Sequence, residues 1–263
     1  MKRKFAILSK ATWIAVVAVV ATLPTLASAA PITLTTIFND YTQQFDSLAN
    51  TGTDNTLPPG WEINTGTYLA DDGSDTVGGI YSYGNITPVP QVDRALGSLE
   101  GDVGPLIFGA SFTNGTTSTI ERLDIQYIGE HWRRGGLGVD ALKFEYSVDA
   151  AATLTTGTYL PFATLDYTKN SLVSSVTRLN GNLTPNRVLI GDQITGLNIA
   201  PGSTFWIRFS DVDSTLEHGL AVDNFQLTPL PANADIPEPS SGILLAMGAL
   251  GCIVIAGYRR RTA

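Results

Sequence analysis

Between Ala30 and Ile236 apolar and polar residues alternate with a period of two, and helical periodicity is nearly absent. Leu123, Ile125 and Tyr127 alternate with Asp124 and Gln126. Leu142, Phe144, Tyr146 and Val148 alternate with Lys143, Glu145 and Ser147, and Phe205, Ile207 and Phe209 with Trp206 and Arg208. Such a period places each apolar set on one face, as a half-buried strand requires. Turn residues separate the runs at Asn114-Gly115, Gly135-Gly136, Asn180-Gly181 and Pro201-Gly202. Short strands between frequent turns predict an all-β fold, an antiparallel β-sandwich of jelly-roll or concanavalin-like type.

Both ends of the chain break this pattern. At the start, Lys2, Arg3 and Lys4 precede an apolar run from Ala11 to Leu23, and small residues follow at Ala27 and Ala29. This is the layout of a secretory signal peptide. Pro31 disfavours cleavage after Ala30, which places the signal-peptidase cut after Ala29. An uncleaved anchor is the alternative, but the apolar run falls short of the ~20 residues a spanning helix needs. At the other end, Pro237-Glu238-Pro239 precedes an apolar run from Gly242 to Tyr258 and the cluster Arg259, Arg260 and Arg261. Proline keeps the first part extended. The run is just long enough to cross a thin bilayer as a helix, and the arginines hold the C-terminus on the cytoplasmic side.

The chain therefore divides into a signal peptide over 1–29 and a sandwich body over 30–228. A proline-rich linker over 229–236 follows, then a tail over 237–263 with a membrane helix over 242–258. In outline this is a sandwich flanked by an N-terminal signal helix and a C-terminal transmembrane helix. Of the 263 residues, 43% are hydrophobic, a share raised by the two terminal segments. Without those segments nine basic and 23 acidic residues remain, a formal charge of −14. Such a body repels phosphate backbones, so nucleic acid is not expected as a partner. The single cysteine, Cys252, lies in the tail, which excludes an intramolecular disulfide.

The ordered set of Pro-Glu-Pro, short span and arginine cluster resembles the PEP-CTERM sorting domain. That resemblance implies a membrane-embedded exosortase as partner, cleavage near Pro237 to Pro239, and export to the cell envelope or an extracellular polysaccharide matrix. The body resembles an uncharacterised β-sandwich module of secreted bacterial proteins. The resemblance runs through Phe45 to Trp61, Arg94 to Asn114, Ile128 to Gly136, Phe205 to Asp213 and Gly219 to Pro229. The closing segment also resembles the last strand of concanavalin-like sandwiches, with Val222-Asp223-Asn224 where such folds carry Ile-Asp-Asp. That likeness implies a structural calcium beside the strand.

Several constellations could carry chemistry. Asp211, Asp213, Glu217, Asp223 and Asn224 would supply oxygen ligands for calcium if the two strand ends converge. Asp71-Asp72-Gly73-Ser74-Asp75 is a second candidate, lacking the full EF-hand spacing. Trp132, Trp206 and Arg208 are the candidate glycan face, since an indole stacks on a sugar ring and arginine reaches its hydroxyls. The competing reading has these tryptophans filling the second face of a buried sheet. His131 and His218, the only histidines, belong to no recognised catalytic motif and are expected to be surface or structural residues. No spacing singles out a pair of catalytic carboxylates. A non-enzymatic envelope protein that binds exopolysaccharide is therefore the leading expectation. A secreted polysaccharide hydrolase and a purely structural surface module are the alternatives.

Overall fold

The computed structural model describes residues 29–85, 91–101, 103–212 and 218–232. The expected signal helix and membrane helix fall outside the described residues. Among the described residues no helix is long and apolar enough to cross a membrane.

In chain order the strands are β1 (Ile32–Leu34), β2 (Tyr41–Gln43), β3 (Thr53–Asp54), β4 (Trp61–Ile63), β5 (Tyr68–Asp71), β6 (Gly79–Tyr83), β7 (Ala95–Leu99) and β8 (Leu106–Asn114). They continue with β9 (Ile120–Arg134), β10 (Gly138–Ser147), β11 (Leu160–Pro161), β12 (Tyr167–Ser171), β13 (Thr177–Arg178), β14 (Arg187–Ile199), β15 (Thr204–Asp211) and β16 (Gly219–Leu230). The first sheet has the order β1-β8-β15-β10-β11, with β12 also on β10 and β4 also on β8. The second has the order β13-β9-β16-β7-β6-β5-β3, with β14 on β9 and β2 on β16. The sandwich is as expected, but not purely antiparallel: β1 runs parallel to β8, and β5 to β6.

The alternating sets meet between the sheets. Leu123, Ile125 and Tyr127 of β9 face Phe205, Ile207 and Phe209 of β15 in one buried core. Phe209 stacks on Phe108 at 5.3 Å and meets the edges of Tyr127 and Phe144 at 5.1 and 5.4 Å. Burying each such ring contributes roughly 1.5–3 kcal/mol. Val148, expected to continue the β10 alternation, lies beyond the strand and is 46% exposed. β16 runs on through Pro229 and Leu230, which pair with Leu123 and Arg122, so the linker begins later than expected.

The second sheet is also covered on its outer face. Because β5 and β6 are parallel, the chain between them must return along the length of the sheet. It does so over that face, with Gly73 against the Trp132 carbonyl and the Val77 carbonyl accepting the Tyr81 hydroxyl. Beneath it Tyr81, Tyr83, Ala95, Leu99, Trp132 and Ala221 form a second apolar cluster. Gly97 is needed there, since a Cβ would lie 2.3 Å from the Leu220 carbonyl oxygen.

Gly73 sits at φ +86°, and a Cβ on it would lie 1.9 Å from the Trp132 carbonyl oxygen. Gly73→Ala should therefore lower stability by about 2–4 kcal/mol, combining left-handed backbone strain with overpacking. Gly104→Ala, at φ +88° with open space around it, should cost only about 1–2 kcal/mol. Denaturant titration of both variants checks this, and equal losses would mean the crossover is not tightly packed on Trp132.

Candidate functional site

The sorting residues Pro237, Glu238 and Pro239, the arginines 259–261 and Ala27 lie outside the described residues, as do Asp213 and Glu217. Ala29 is described, and its N–H donates to Glu62 Oε1 at 2.7 Å.

The structure corrects the expected glycan face. Trp132 is 0% exposed and Trp206 4%. Trp132 lies on the outer face of the second sheet, parallel to Tyr83 at 5.9 Å and covered by Gly73 and Gly181. Trp206 lies on the outer face of the first sheet, where residues 148–159 fold back. Leu154 of that segment is buried, and its carbonyl accepts Arg208 Nη1 at 3.0 Å. Alternation assigned Trp206 to the face opposite the main core, whereas Trp132, which reads as a loop residue beside Gly135-Gly136, lies within β9. Alternation carried no information about the distant segments that cover those faces.

Arg208 is also bound to Glu145, Nε to Oε2 at 2.8 Å, and its guanidinium lies 3.6 Å from the Tyr159 ring centroid. On the same sheet, at β4, Leu57, Pro58, Pro59, Glu62, Ile63 and Thr153 line an open cleft of about 510 Å³. Its wall is mostly apolar with one carboxylate on the rim, and a concavity of this size has room for a few sugar rings. Of its lining residues Ala29 was singled out from sequence, as the signal-peptidase cut, and none as a ligand contact.

Of the proposed calcium ligands, Asp211 and Asp223 face different sides of the second sheet and do not converge. Asp211 continues the inward face of β15 and accepts Ser98 Oγ between the sheets at 2.7 Å. Asp223 follows the inward-facing Val222 and so points to the opposite, outer face of the second sheet. Asn224, at φ 49° in the irregular stretch of β16, donates Nδ2 to Asp223 Oδ2 at 2.9 Å. The 71–75 cluster is likewise turned on itself. Asp71 accepts the Gly73 and Asp75 amides and the Ser74 hydroxyl, and Asp72 pairs with Arg178. Among the described residues no group of three or more acidic, histidine or cysteine side chains could hold a metal ion.

What the structure does bring together is Glu130 and Asp223, on adjacent strands and the same outer face. They are 1% and 2% exposed. Glu130 Oε2 accepts Trp132 Nε1–H at 3.0 Å, and Arg187 Nη2 lies 3.6 Å from Oε1. Burial pushes the Glu130 carboxyl up to about 7, against the pull of Trp132 and Arg187. Burial, reinforced by Glu130, pushes Asp223 up to about 8, with smaller contributions from Asp93 and Asp46. A carboxylic acid held protonated near neutrality is chemistry a glycosidase uses. Both carboxyls, however, are buried and present almost no surface to a sugar. The sequence signal was present in Glu130 and Trp132 sharing a strand face, but the partner on β16 required the ladder register.

Residues 235–261 match the PEP-CTERM protein-sorting motif. The chain carries a PEP-CTERM sorting signal. That motif implies export and membrane-associated sorting to the cell envelope. No curated protein matches the chain. Among solved structures, the CBM22-1 xylan-binding domain of Paenibacillus barcinonensis Xyn10C is similar at 13% identity and a TM-score of 0.36, over 78% of this chain and 100% of that domain. TmCBM61 in complex with β-1,4-galactotriose is similar at 12% and 0.30, over 64% and 88%. The arabinose-bound MgGH51 α-L-arabinofuranosidase is similar at 10% and 0.40, over 77% of this chain but 30% of that enzyme. Similarity at this level carries no argument about ligand or activity.

Because Asp223 is raised from the ~4 of an unfolded chain to about 8, the folded state binds the extra proton. Stability should therefore fall as pH rises from about 4 to about 8. Asp223→Asn removes that loss, so its advantage over the parent protein should grow by on the order of 2–4 kcal/mol between pH 5 and pH 8.5. Denaturation at the two pH values measures it, and an advantage independent of pH would place an ionised Asp223 in the fold.

Proposed function

We propose that the protein is exported through the inner membrane and sorted by an exosortase-type enzyme, delivering a non-catalytic, glycan-binding sandwich to the envelope or extracellular matrix. The observation that carries the sorting half is the motif over 235–261. In this reading signal peptidase cuts after Ala29, the segment 242–258 holds the chain in the membrane behind Arg259, Arg260 and Arg261, and exosortase acts near Pro237 to Pro239.

The glycan half is supported by the cleft beside Glu62 and by the Tyr159–Arg208–Glu145 cluster on the same sheet. Exopolysaccharide of the host is the intended ligand class. The body is read as non-enzymatic because the one carboxyl pair with elevated proton affinity is closed off inside the fold. Burial of both Trp132 and Trp206 favours a second reading, in which the body is a structural module that binds no sugar.

Intact mass of the mature protein from its host tests the sorting. The expected species begins at Ala30 and ends near Pro237 to Pro239. A species retaining 242–263 would leave a plain membrane anchor in place of sorting. The glycan half is tested by retention of the mature protein on the host's exopolysaccharide. Pro59→Asp, at an exposed position of the cleft wall, should reduce retention at least tenfold with little change in the melting temperature. Unchanged retention would remove the cleft from the reading, and no retention of the parent protein would leave the structural module.

A further inference from the structure

The chain has two histidines, 87 residues apart, and the fold brings them into contact. His131 Nε2 lies 3.0 Å from His218 Nδ1, and both rings are buried, His218 completely. They sit at the end of the sandwich where β9 turns into β10 and the chain enters β16. Gly135 N–H, in that turn, is also directed at His218 Nδ1, at 3.3 Å. The His218 backbone N–H donates to Asp140 Oδ2 of β10 at 3.2 Å. One imidazole thus ties the turn after β9, the strand β9 itself and the start of β16 to the facing sheet.

The hydrogen-bond pattern assigns the protons. An Nδ1 that receives the Gly135 N–H must present its lone pair, so His131 Nε2 carries the hydrogen of the shared contact. Neutral His218 then holds its own proton on Nε2, and the only place for a second proton is Nδ1. Protonation there would set the new N–H against the donors of His131 and Gly135, while backbone hydrogen bonds at Arg133 and Gly136 favour the charged His218 ring. A metal ion between the rings would meet the same obstacle in the Gly135 N–H, so the geometry selects the proton as the agent.

We propose that His131 and His218 form an acid-released latch, in which protonation of His218 Nδ1 frees the 135–137 turn and the entry to β16. The charged surroundings favour release once the proton arrives. Arg134 of β9 and Lys169 of β12 bring positive charge to the pair, the Arg133 backbone hydrogen-bonds both rings in favour of their charged forms, and Asp140 faces the pair and already accepts the His218 and Ala141 amides. Burial lowers the proton affinity of both rings in the closed state, His131 to about 3 and His218 below its ordinary value. The sign follows: a ring that takes its proton at about 6.5 when free and lower when latched leaves the closed state at full strength above 6.5. Below that value the open-to-closed ratio rises about tenfold per pH unit. The acid pair Glu130–Asp223 on the neighbouring face has the opposite dependence, so acid release at this end does not require the whole sandwich to weaken.

Hydrogen exchange on the mature protein reads the latch directly, since the Gly135 and His218 amides both donate into it. After correction for intrinsic exchange rates, their protection should fall about fivefold between pH 6.5 and 5.5, while the core amides of Leu123–Tyr127 in the same strand hold theirs. His218→Asn keeps a side-chain oxygen as acceptor but cannot titrate, and should reduce the dependence to what His131 contributes. His131→Gln keeps the donor and leaves His218 free to titrate, so the dependence should persist. Constant protection in the parent protein from pH 7 to 5 would overturn the proposal, as would an undiminished fall in His218→Asn.

Discussion

The ladder between β9 and β16 is the constraint on which the rest of the molecule hangs. It sets Glu130 diagonally opposite Asp223 and brings His131 level with the start of β16. It also places Leu123, Ile125, Leu220 and Val222 in the main core while Trp132 and Ala221 look outward into the second cluster. Every buried ionisable group near the candidate sites is therefore positioned by backbone register and not by its own chemistry. That explains why so many polar side chains are tolerated inside a small sandwich. The ladder satisfies the backbone groups, and the side chains need only find one or two partners each.

Burial acts on these groups with one rule and two outcomes. It penalises the charged form, so carboxyls take up protons more readily and imidazoles less readily. Glu130 and Asp223 are thereby moved toward neutrality near physiological pH, and the body carries less charge than its formal −14 implies. His131 and His218 stay neutral as well. Cations with exposed side chains complete the ion pairs, Lys143 with Asp166 at 3.0 Å and Arg178 with buried Asp72.

Much of the sandwich was legible in the chain because alternation is a local property. The apolar sets of β9, β10 and β15 point where their spacing says they should. The tail was legible for a similar reason, as a linear motif needing no partner. What alternation cannot supply is the depth of cover on the second face. Residues 72–78 and 148–159 are rich in Gly, Thr and Asp and read as exposed loops, yet they bury Trp132 and Trp206. The Asp71–Asp75 cluster misled for a chemical reason: the oxygens and glycine that suit a cation also suit a turn closed on its own amides. The acid pair and the histidine contact join residues some 90 positions apart, which no local reading of one sequence reaches.

The position of β16 has a mechanical meaning. It is a 12-residue strand, about 40 Å long, lying between β9 on one side and β7 and β2 on the other. Leu230, its last residue, is the final strand residue before the segment that carries the sorting tail. Any tension transmitted from the membrane or from an attachment point enters the fold along the axis of this strand. Its hydrogen bonds lie across that axis and share the load in shear, so they must yield together and cannot unzip one at a time. A load applied at Leu230 would thus meet one of the most extensively paired strands of the sandwich.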